Sequence, residues 1–153
     1  MDNQKLLAKI AELGKNSAGD EEAANAVNAE PHATEKMRVD VPTRLAMSVM
    51  MSANVWGAVR RATEPGGTDA VRDAAYNVVD CVLHGGENIR TSVNQAYDRV
   101  AASLQTLVGA GVMSSQIRSA LLALAEKARP WAEVELGRLV TARDVGLARG
   151  GAE

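Results

Sequence analysis

This chain of 153 residues is poor in aromatic residues: it contains no Phe, two Trp and two Tyr, and aromatics make up 3% of the sequence. A β-sandwich core of this size relies on aromatic and β-branched side chains. The core must therefore be built largely from Ala, Val, Leu, Ile and Met, a composition that favours helices. We expect an all-α fold.

The chain also lacks the marks of several functional classes. One Cys excludes an internal disulfide, and a formal charge of −2 gives no overall attraction for nucleic acid or anionic lipid. No phosphate-binding motif of the form G-x-x-x-x-G-K-[ST] or G-x-G-x-x-G occurs. The first residues show no signal peptide. We therefore expect an intracellular protein with no cofactor and no enzymatic activity.

A stretch of fifteen residues from Leu45 to Val59 carries no charge. Pro42 suits the first turn of a helix, and a Pro-Gly-Gly sequence that begins at Pro65 provides a stop. Because the large apolar residues are spread around the whole helix, we expect a buried central helix at about residues 42–63. The stretch is shorter than the roughly 18 apolar residues of a membrane span, so no membrane is expected.

Apolar periodicity predicts further helices on either side of short loops. They span residues 68–84, 88–108, 115–130, 131–136 and 141–149. The expected N-caps are Thr68, Asn88 and Ser114 or Ser115, and Thr141 with an acid three residues later forms a capping box. Short loops indicate antiparallel neighbours. The predicted architecture is a bundle of about five helices around the central helix.

The N-terminal residues differ in composition from the rest. Residues 1–14 place their apolar side chains on one stripe, which predicts an amphipathic helix that Gly14 ends. Residues 15–36 contain almost no large apolar side chain, and we expect a flexible linker there. The bundle domain would then occupy residues 37–153. Such a linker would let the first helix reach another subunit or another protein.

Two groups of residues are predicted to bind a protein partner. The first is the apolar stripe of the N-terminal helix: Leu6, Leu7, Ile10 and Leu13. The second lies near the C-terminus, where Trp and Arg, which are enriched at contact centres, occur together: Arg129, Trp131 and Arg143. The expected partner is a second copy of this chain or a larger protein assembly.

One segment resembles a known group of proteins. Residues Arg129 to Gly150, RPWAEVELGRLVTARDVGLARG, are similar to the C-terminal ends of small, mostly uncharacterised proteins encoded among the structural genes of tailed bacteriophages. The shared residues are Leu136-Gly137, Val140, Asp144-Val145 and Ala148-Arg149. The resemblance covers 22 of the 153 residues. It implies a virion-associated or assembly role, in the bacterial cytoplasm or in the virion itself.

A second hypothesis is a dimeric DNA-binding regulator. Residues 36–42, KMRVDVP, alternate between polar and apolar side chains and precede a helix that begins with proline. This arrangement resembles the entry of a ribbon-helix-helix repressor. The resemblance implies that paired strands of a dimer enter the major groove with Arg38 and Asp40 facing the DNA.

A third hypothesis is a metal or thiol enzyme. Asp80, Cys81 and His84 fall within one helical turn, so a carboxylate, a thiol and an imidazole can share one surface. Cys and His three residues apart could supply half of a zinc site or a nucleophile with its base. The alternative is a small buried Cys and a His that interacts with the C-terminal end of the helix dipole.

Overall fold

The computed structural model describes residues 1–150. The helices are α1 (Asn3–Glu12), α2 (Asp20–Ala29), α3 (Thr43–Ser52), α4 (Trp56–Arg61), α5 (Asp69–His84), α6 (Asn94–Gly109), α7 (Ser115–Ala123), α8 (Trp131–Glu135) and α9 (Ala142–Ala148). The strands are β1 (Pro31–Arg38), β2 (Val41–Pro42), β3 (Asn88–Ile89) and β4 (Glu126–Pro130). The fold is α+β, and the all-α prediction is wrong.

The strands form two small antiparallel sheets of two strands each. Strand β1 pairs with β4, and β2 pairs with β3 so that Val41 lies opposite Ile89 and Pro42 opposite Asn88. The two strands of each sheet are distant in sequence, and β2 and β3, with two residues each, are too short to carry a periodic signal of their own. For this reason Asn88 is a strand residue instead of the predicted helix cap, and β4 occupies the predicted last turns of the helix before Pro130.

The predicted buried central helix at residues 42–63 is also corrected, because the structure divides it into α3 and α4. Asn54 has a φ of 57°, in the left-handed region, which ends α3 before Val55 begins the next turn. Only one side of α3 is buried, through Ala46 and Met50. Leu45 is 43% exposed. The absence of charge from this stretch is therefore not explained by burial alone.

The chain divides into two compact units. The central unit, Met37–Lys127, is continuous in sequence, and α5 packs along α6 at its middle. Its buried core residues are Val41, Ala46, Met50, Val55, Val59, Ala74, Ala75, Val78, Val82, Leu104, Leu107, Met113, Leu121 and Ala125. Thr68 caps α5 as predicted, and its hydroxyl accepts a hydrogen bond from the Val71 amide.

The terminal unit combines Met1–Lys36 with the described residues that follow Lys127. Its core residues are Leu6, Ile10, Ala23, Ala24, Val27, Ala132, Val140 and Val145. Residues 15–36, the expected flexible linker, contain α2 and most of β1. Helix α2 buries small side chains against residues from the far end of the chain, a contact that local composition does not reveal. Helix α1 and the capping box of Thr141 and Asp144 agree with the prediction.

Candidate functional site

The apolar stripe of α1 lies mainly inside the terminal unit. Leu6 and Ile10 are 0% and 1% exposed and belong to its core. Leu13 is half-buried against the same core, whereas Leu7 is 36% exposed. Side chains that fill the core of their own chain do not present a surface to a partner. Of the four predicted contact residues on α1, Leu7 alone is exposed.

Trp131 covers one side of the same core. Its side chain is half-buried there, and the Lys9 ammonium lies 5.3 Å from the centre of the indole ring. Arg129 forms an ion pair of 3.8 Å with Glu133, and Arg143 is exposed on α9. The indole is thus engaged within the terminal unit. It does not supply the exposed centre that a contact patch with Arg129 and Arg143 requires.

Arg149 ties the end of the described chain to the loop before α2. Its guanidinium donates hydrogen bonds to the carbonyl oxygens of Lys15 at 2.9 Å, Asn16 at 3.2 Å and Ala18 at 2.8 Å. It also donates to the Asp20 carboxylate at 2.6 Å. The Ala-Arg pair that carries part of the bacteriophage resemblance therefore has a structural role here.

Arg138 and Asp144 form a second set of polar contacts within the terminal unit. The two guanidinium nitrogens of Arg138 donate to the two carboxylate oxygens of Asp144 at 2.8 and 2.6 Å. The Thr141 amide and hydroxyl donate to the same carboxylate at 2.9 and 2.8 Å. Asp144 is buried, and the bonds from Arg138 hold the pKa of its carboxyl well below the usual range.

The three residues of the enzyme hypothesis differ in solvent exposure. His84 Nδ1 lies 3.2 Å from an Asp80 carboxylate oxygen, and both side chains are largely exposed. Cys81 is half-buried, and its burial raises the pKa of the thiol. A raised pKa lowers the thiolate fraction that a nucleophile needs. In residues 1–150 no group of three His, Cys, Asp or Glu side chains is placed to hold a metal ion.

The two residues of the DNA hypothesis, Arg38 and Asp40, contact other side chains of the central unit. The Arg38 guanidinium lies 3.7 Å from the centre of the Tyr97 ring and donates to the Asn94 side chain at 2.9 Å. The Asp40 carboxylate accepts hydrogen bonds from the Ser92 hydroxyl and amide, which lower its pKa. Both side chains that would face DNA thus have partners in their own chain.

The central unit carries an exposed surface formed by the outer side of α3 and the groove that separates it from α7. The groove has no charged lining, and the exposed Arg44 lies at the N-terminal edge of this surface, one turn before Ser48. We call this surface the α3–α7 face. It comprises Leu45, Ser48, Val49, Met51, Ser52, Ala53, Gln116, Ile117 and Ala120. The groove itself has a volume of about 440 Å³ and is lined mainly by apolar atoms.

The exposure of this face is largest along one helical stripe. Leu45, Ser48, Met51 and Ser52 follow the spacing of three and four residues that places side chains side by side. All four are exposed, Met51 to 60%. Arg118 of α7 turns away from α3 and donates to the Ala101 carbonyl of α6 at 3.4 Å. No charged residue therefore lines the groove.

The sequence contained a signal for this face. Residues 45–59 carry no charge, and burial accounts for that only at positions such as Ala46, Met50 and Val59. Exposed positions of a helix are normally rich in Lys, Arg, Glu and Asp. An uncharged stripe that includes an exposed Leu and an exposed Met is typical of the centre of a protein interface.

Comparisons of this chain with protein-family models, with curated proteins and with solved structures find no match. Within residues 1–150, the structure has no helix that is both long and apolar enough to cross a membrane.

Proposed function

We propose that this chain is a non-enzymatic interaction protein that associates with a second copy of itself through the α3–α7 face. The observation that carries the proposal is the stripe of exposed, uncharged side chains on α3, with Leu45 43% and Met51 60% exposed. It lies in a chain in which 24% of residues are charged. Interface centres are depleted of charge and enriched in Met in the same way.

A second copy is the occupant that the electrostatics of the face favour. In a two-fold symmetric dimer both copies use the same surface, so an unpaired charge near the symmetry axis would meet a like charge. The groove of the α3–α7 face has no charged lining, and the one charged residue on this side of α3, Arg44, lies at its N-terminal edge. Its small residues, such as Ser48, Ser52 and Ala120, let the backbones of facing helices approach closely. Dispersion contacts at such a distance add to the burial of Leu45 and Met51.

The experiment is the mass of the full chain in solution, measured by light scattering over a range of concentrations. We expect the mass to rise from monomer to dimer as concentration increases. Met51→Glu and Met51→Lys should each keep the chain monomeric, because the new charge meets its own copy. Since Met51 is exposed, neither substitution should reduce the free energy of unfolding by much.

Two controls make this test specific. Tyr76→Glu introduces the same charge at an exposed position of α5, 55% exposed and away from the face, and should leave the dimer intact. Mixing the Met51→Glu and Met51→Lys chains should restore association, because opposite charges then meet. A wild-type chain that stays monomeric at every concentration, or dimers that both Met51 variants retain, would overturn the proposal.

We also propose that this association serves tailed-bacteriophage assembly, in the bacterial cytoplasm or in the virion. The support is the resemblance of Arg129–Gly150 to the C-terminal ends of proteins encoded among phage structural genes. The test is mass spectrometry of purified particles and of assembly intermediates from a producing host. Detection of the chain at a fixed ratio to the major structural proteins would support the proposal. Its absence from both would contradict it.

A further inference from the structure

A second concave surface of the central unit lies between α5, β3 and α6. We call it the α5–α6 groove, and its volume is about 320 Å³. Its apolar part includes Ile89, Ala96 and Val100, with Val93 at the rim, 51% exposed. This volume is at the lower end of the range of small-molecule sites. No residue of this groove belongs to the α3–α7 face.

The polar part of the groove has an excess of positive charge. Arg90 and Arg99 line it together with one acid, Asp80. The Asp80 carboxylate is 3.2 Å from His84 Nδ1. Arg90 lies near enough to Asp40 to contribute to the lowered pKa of that carboxyl, and Arg99 forms no ion pair among residues 1–150. Two guanidinium groups beside an apolar surface match a ligand that joins an anion to a hydrocarbon body.

An apolar cavity of about 40 Å³ lies next to this groove inside the central unit. The two share Cys81, Ile89 and Val100 in their linings. The one hydroxyl in the cavity lining, from Thr91, already donates to the Val39 carbonyl at 2.6 Å. A cavity without unsatisfied polar groups holds water poorly and accepts apolar groups. The groove therefore leads from a positively charged rim towards apolar space.

We propose that the α5–α6 groove binds a small anionic amphipath, a carboxylate with a short hydrocarbon chain. The carboxylate lies against Arg90 and Arg99, and the hydrocarbon chain covers Ile89 and Val100 and points towards the cavity beside them. Cys81 is the only cysteine of the chain and lies where the groove and the cavity meet, so it reports on occupation.

The test uses octanoate as the probe and the full chain as the protein. Calorimetry measures binding, and the rate at which neutral iodoacetamide alkylates Cys81 measures occupation. We expect octanoate to bind at one site and to slow alkylation several-fold. Octylammonium and octanol, which lack the negative charge, should bind about tenfold more weakly, as expected for loss of a charge-assisted contact.

Substitutions test the assignment of the charge. Arg90→Gln and Arg99→Gln should each weaken octanoate binding about tenfold, with little change in folding, because both residues are exposed. Arg60→Gln, an exposed arginine of α4 outside the groove, is the matched control and should bind as the wild type does. Ala96→Trp should block the groove and abolish protection of Cys81.

Three results would overturn the proposal: no binding of octanoate, binding that leaves the alkylation rate of Cys81 unchanged, or equal binding by the two arginine variants and the wild type. The Met51 variants decide self-association separately, because Met51 does not line the α5–α6 groove. A chain that dimerises without binding octanoate would therefore reject this inference and leave the proposed function standing.

Discussion

The core of the central unit contains fourteen buried apolar residues from one continuous segment, whereas the core of the terminal unit contains eight, drawn from both ends of the chain. Three of those eight are alanines, which contribute little hydrophobic free energy. The terminal unit is therefore the one that depends more on polar contacts between residues distant in sequence.

Those contacts are directional and join the two chain segments. Asn28 exchanges two hydrogen bonds of 2.8 Å with the backbone of Val140, and Lys5 forms an ion pair of 2.9 Å with Glu135. A small core tolerates several arrangements of its helices, while hydrogen bonds of fixed geometry select one of them. Apolar burial therefore stabilises the central unit, whereas hydrogen bonds and ion pairs between the two chain segments of the terminal unit specify its arrangement.

Each unit contains one tryptophan, so the two can be followed separately. Trp131 lies in the terminal unit and Trp56 in the central unit. A Trp56→Phe background leaves the fluorescence of the terminal unit, and a Trp131→Phe background leaves that of the central unit. Denaturant titrations in these two backgrounds provide the free energies of unfolding for the predictions that follow.

The largest change in the free energy of unfolding is expected at Leu6, and the neighbouring Leu7 of α1 provides the comparison. Leu6→Ala removes a fully buried side chain and should lower the free energy of unfolding of the terminal unit by about 3 kcal/mol. Leu7→Ala, at a 36% exposed position, should cost less than about 1 kcal/mol. Equal costs, measured by Trp131 fluorescence, would contradict the placement of α1 in this core.

The next effect concerns the Asp144 carboxylate. Asp144→Ala removes the acceptor for Arg138 and for the Thr141 amide, and it should cost about 2 to 3 kcal/mol. Glu21→Ala, an exposed acid in the first turn of α2, is the control and should cost under about 1 kcal/mol. The loss should appear in the Trp131 signal; the same loss in the Trp56 signal would break the distinction between the two units.

Acid should weaken the terminal unit more than the central unit. In the terminal unit the pKa values of Glu22, Glu135 and Asp144 are lowered, chiefly by hydrogen bonds from Lys15, Lys5 and Arg138 respectively. In the central unit the pKa of Asp40 is lowered, chiefly by a hydrogen bond from Ser92. Several lowered pKa values therefore favour the folded terminal unit, against one in the central unit.

The direction of this pH dependence follows from proton linkage. A carboxyl whose pKa is lower in the folded state contributes stability that is fully present above its unfolded pKa, about 3.9 to 4.3, and is lost as the pH falls through its folded pKa. We therefore expect the free energy of unfolding to decline below about pH 5, more steeply by Trp131 than by Trp56 fluorescence. Asp144→Ala should flatten the Trp131 curve. If the free energy of unfolding declined equally for the two units, the greater dependence of the terminal unit on polar contacts would be contradicted.

The smallest effect concerns Arg149. Arg149→Lys keeps the charge but loses the planar fork that serves three carbonyl oxygens and Asp20, and it should cost the terminal unit about 1 kcal/mol. Arg143→Lys at an exposed position should change the free energy of unfolding by less than about 0.5 kcal/mol. If the two substitutions had the same effect, the hydrogen bonds of Arg149 would contribute nothing to the stability of the terminal unit.

The same contrast explains what could be predicted from the sequence. Helix α5, with its Thr68 cap, and α9, with its capping box, were predicted because local side chains specify their ends. Strand β3 and helix α2 were missed because their partners lie far along the chain. The hydrogen bonds between Asn28 and Val140 span 112 residues, a separation at which no local pattern is informative.

No residue of the α3–α7 face was predicted as a contact residue. The uncharged stretch at residues 45–59 was visible in the sequence, and it was interpreted as a buried helix. The break at Asn54 and the exposure of Met51 are seen only in the structure. The predicted contact residues on α1 have the correct amphipathic spacing. That spacing shows that a stripe becomes buried without showing whether its own chain or another one buries it.

The most direct test of self-association is an NMR dilution series that follows the methionine methyl groups of the full chain. The proposal predicts that the methyl signal of Met51 shifts with concentration while that of Met37, which is 40% exposed and outside the α3–α7 face, stays in place. Amides of Ser48, Ser52 and Ala120 should shift together with Met51. Concentration-dependent shifts confined to α1, or no shifts at all, would contradict the account.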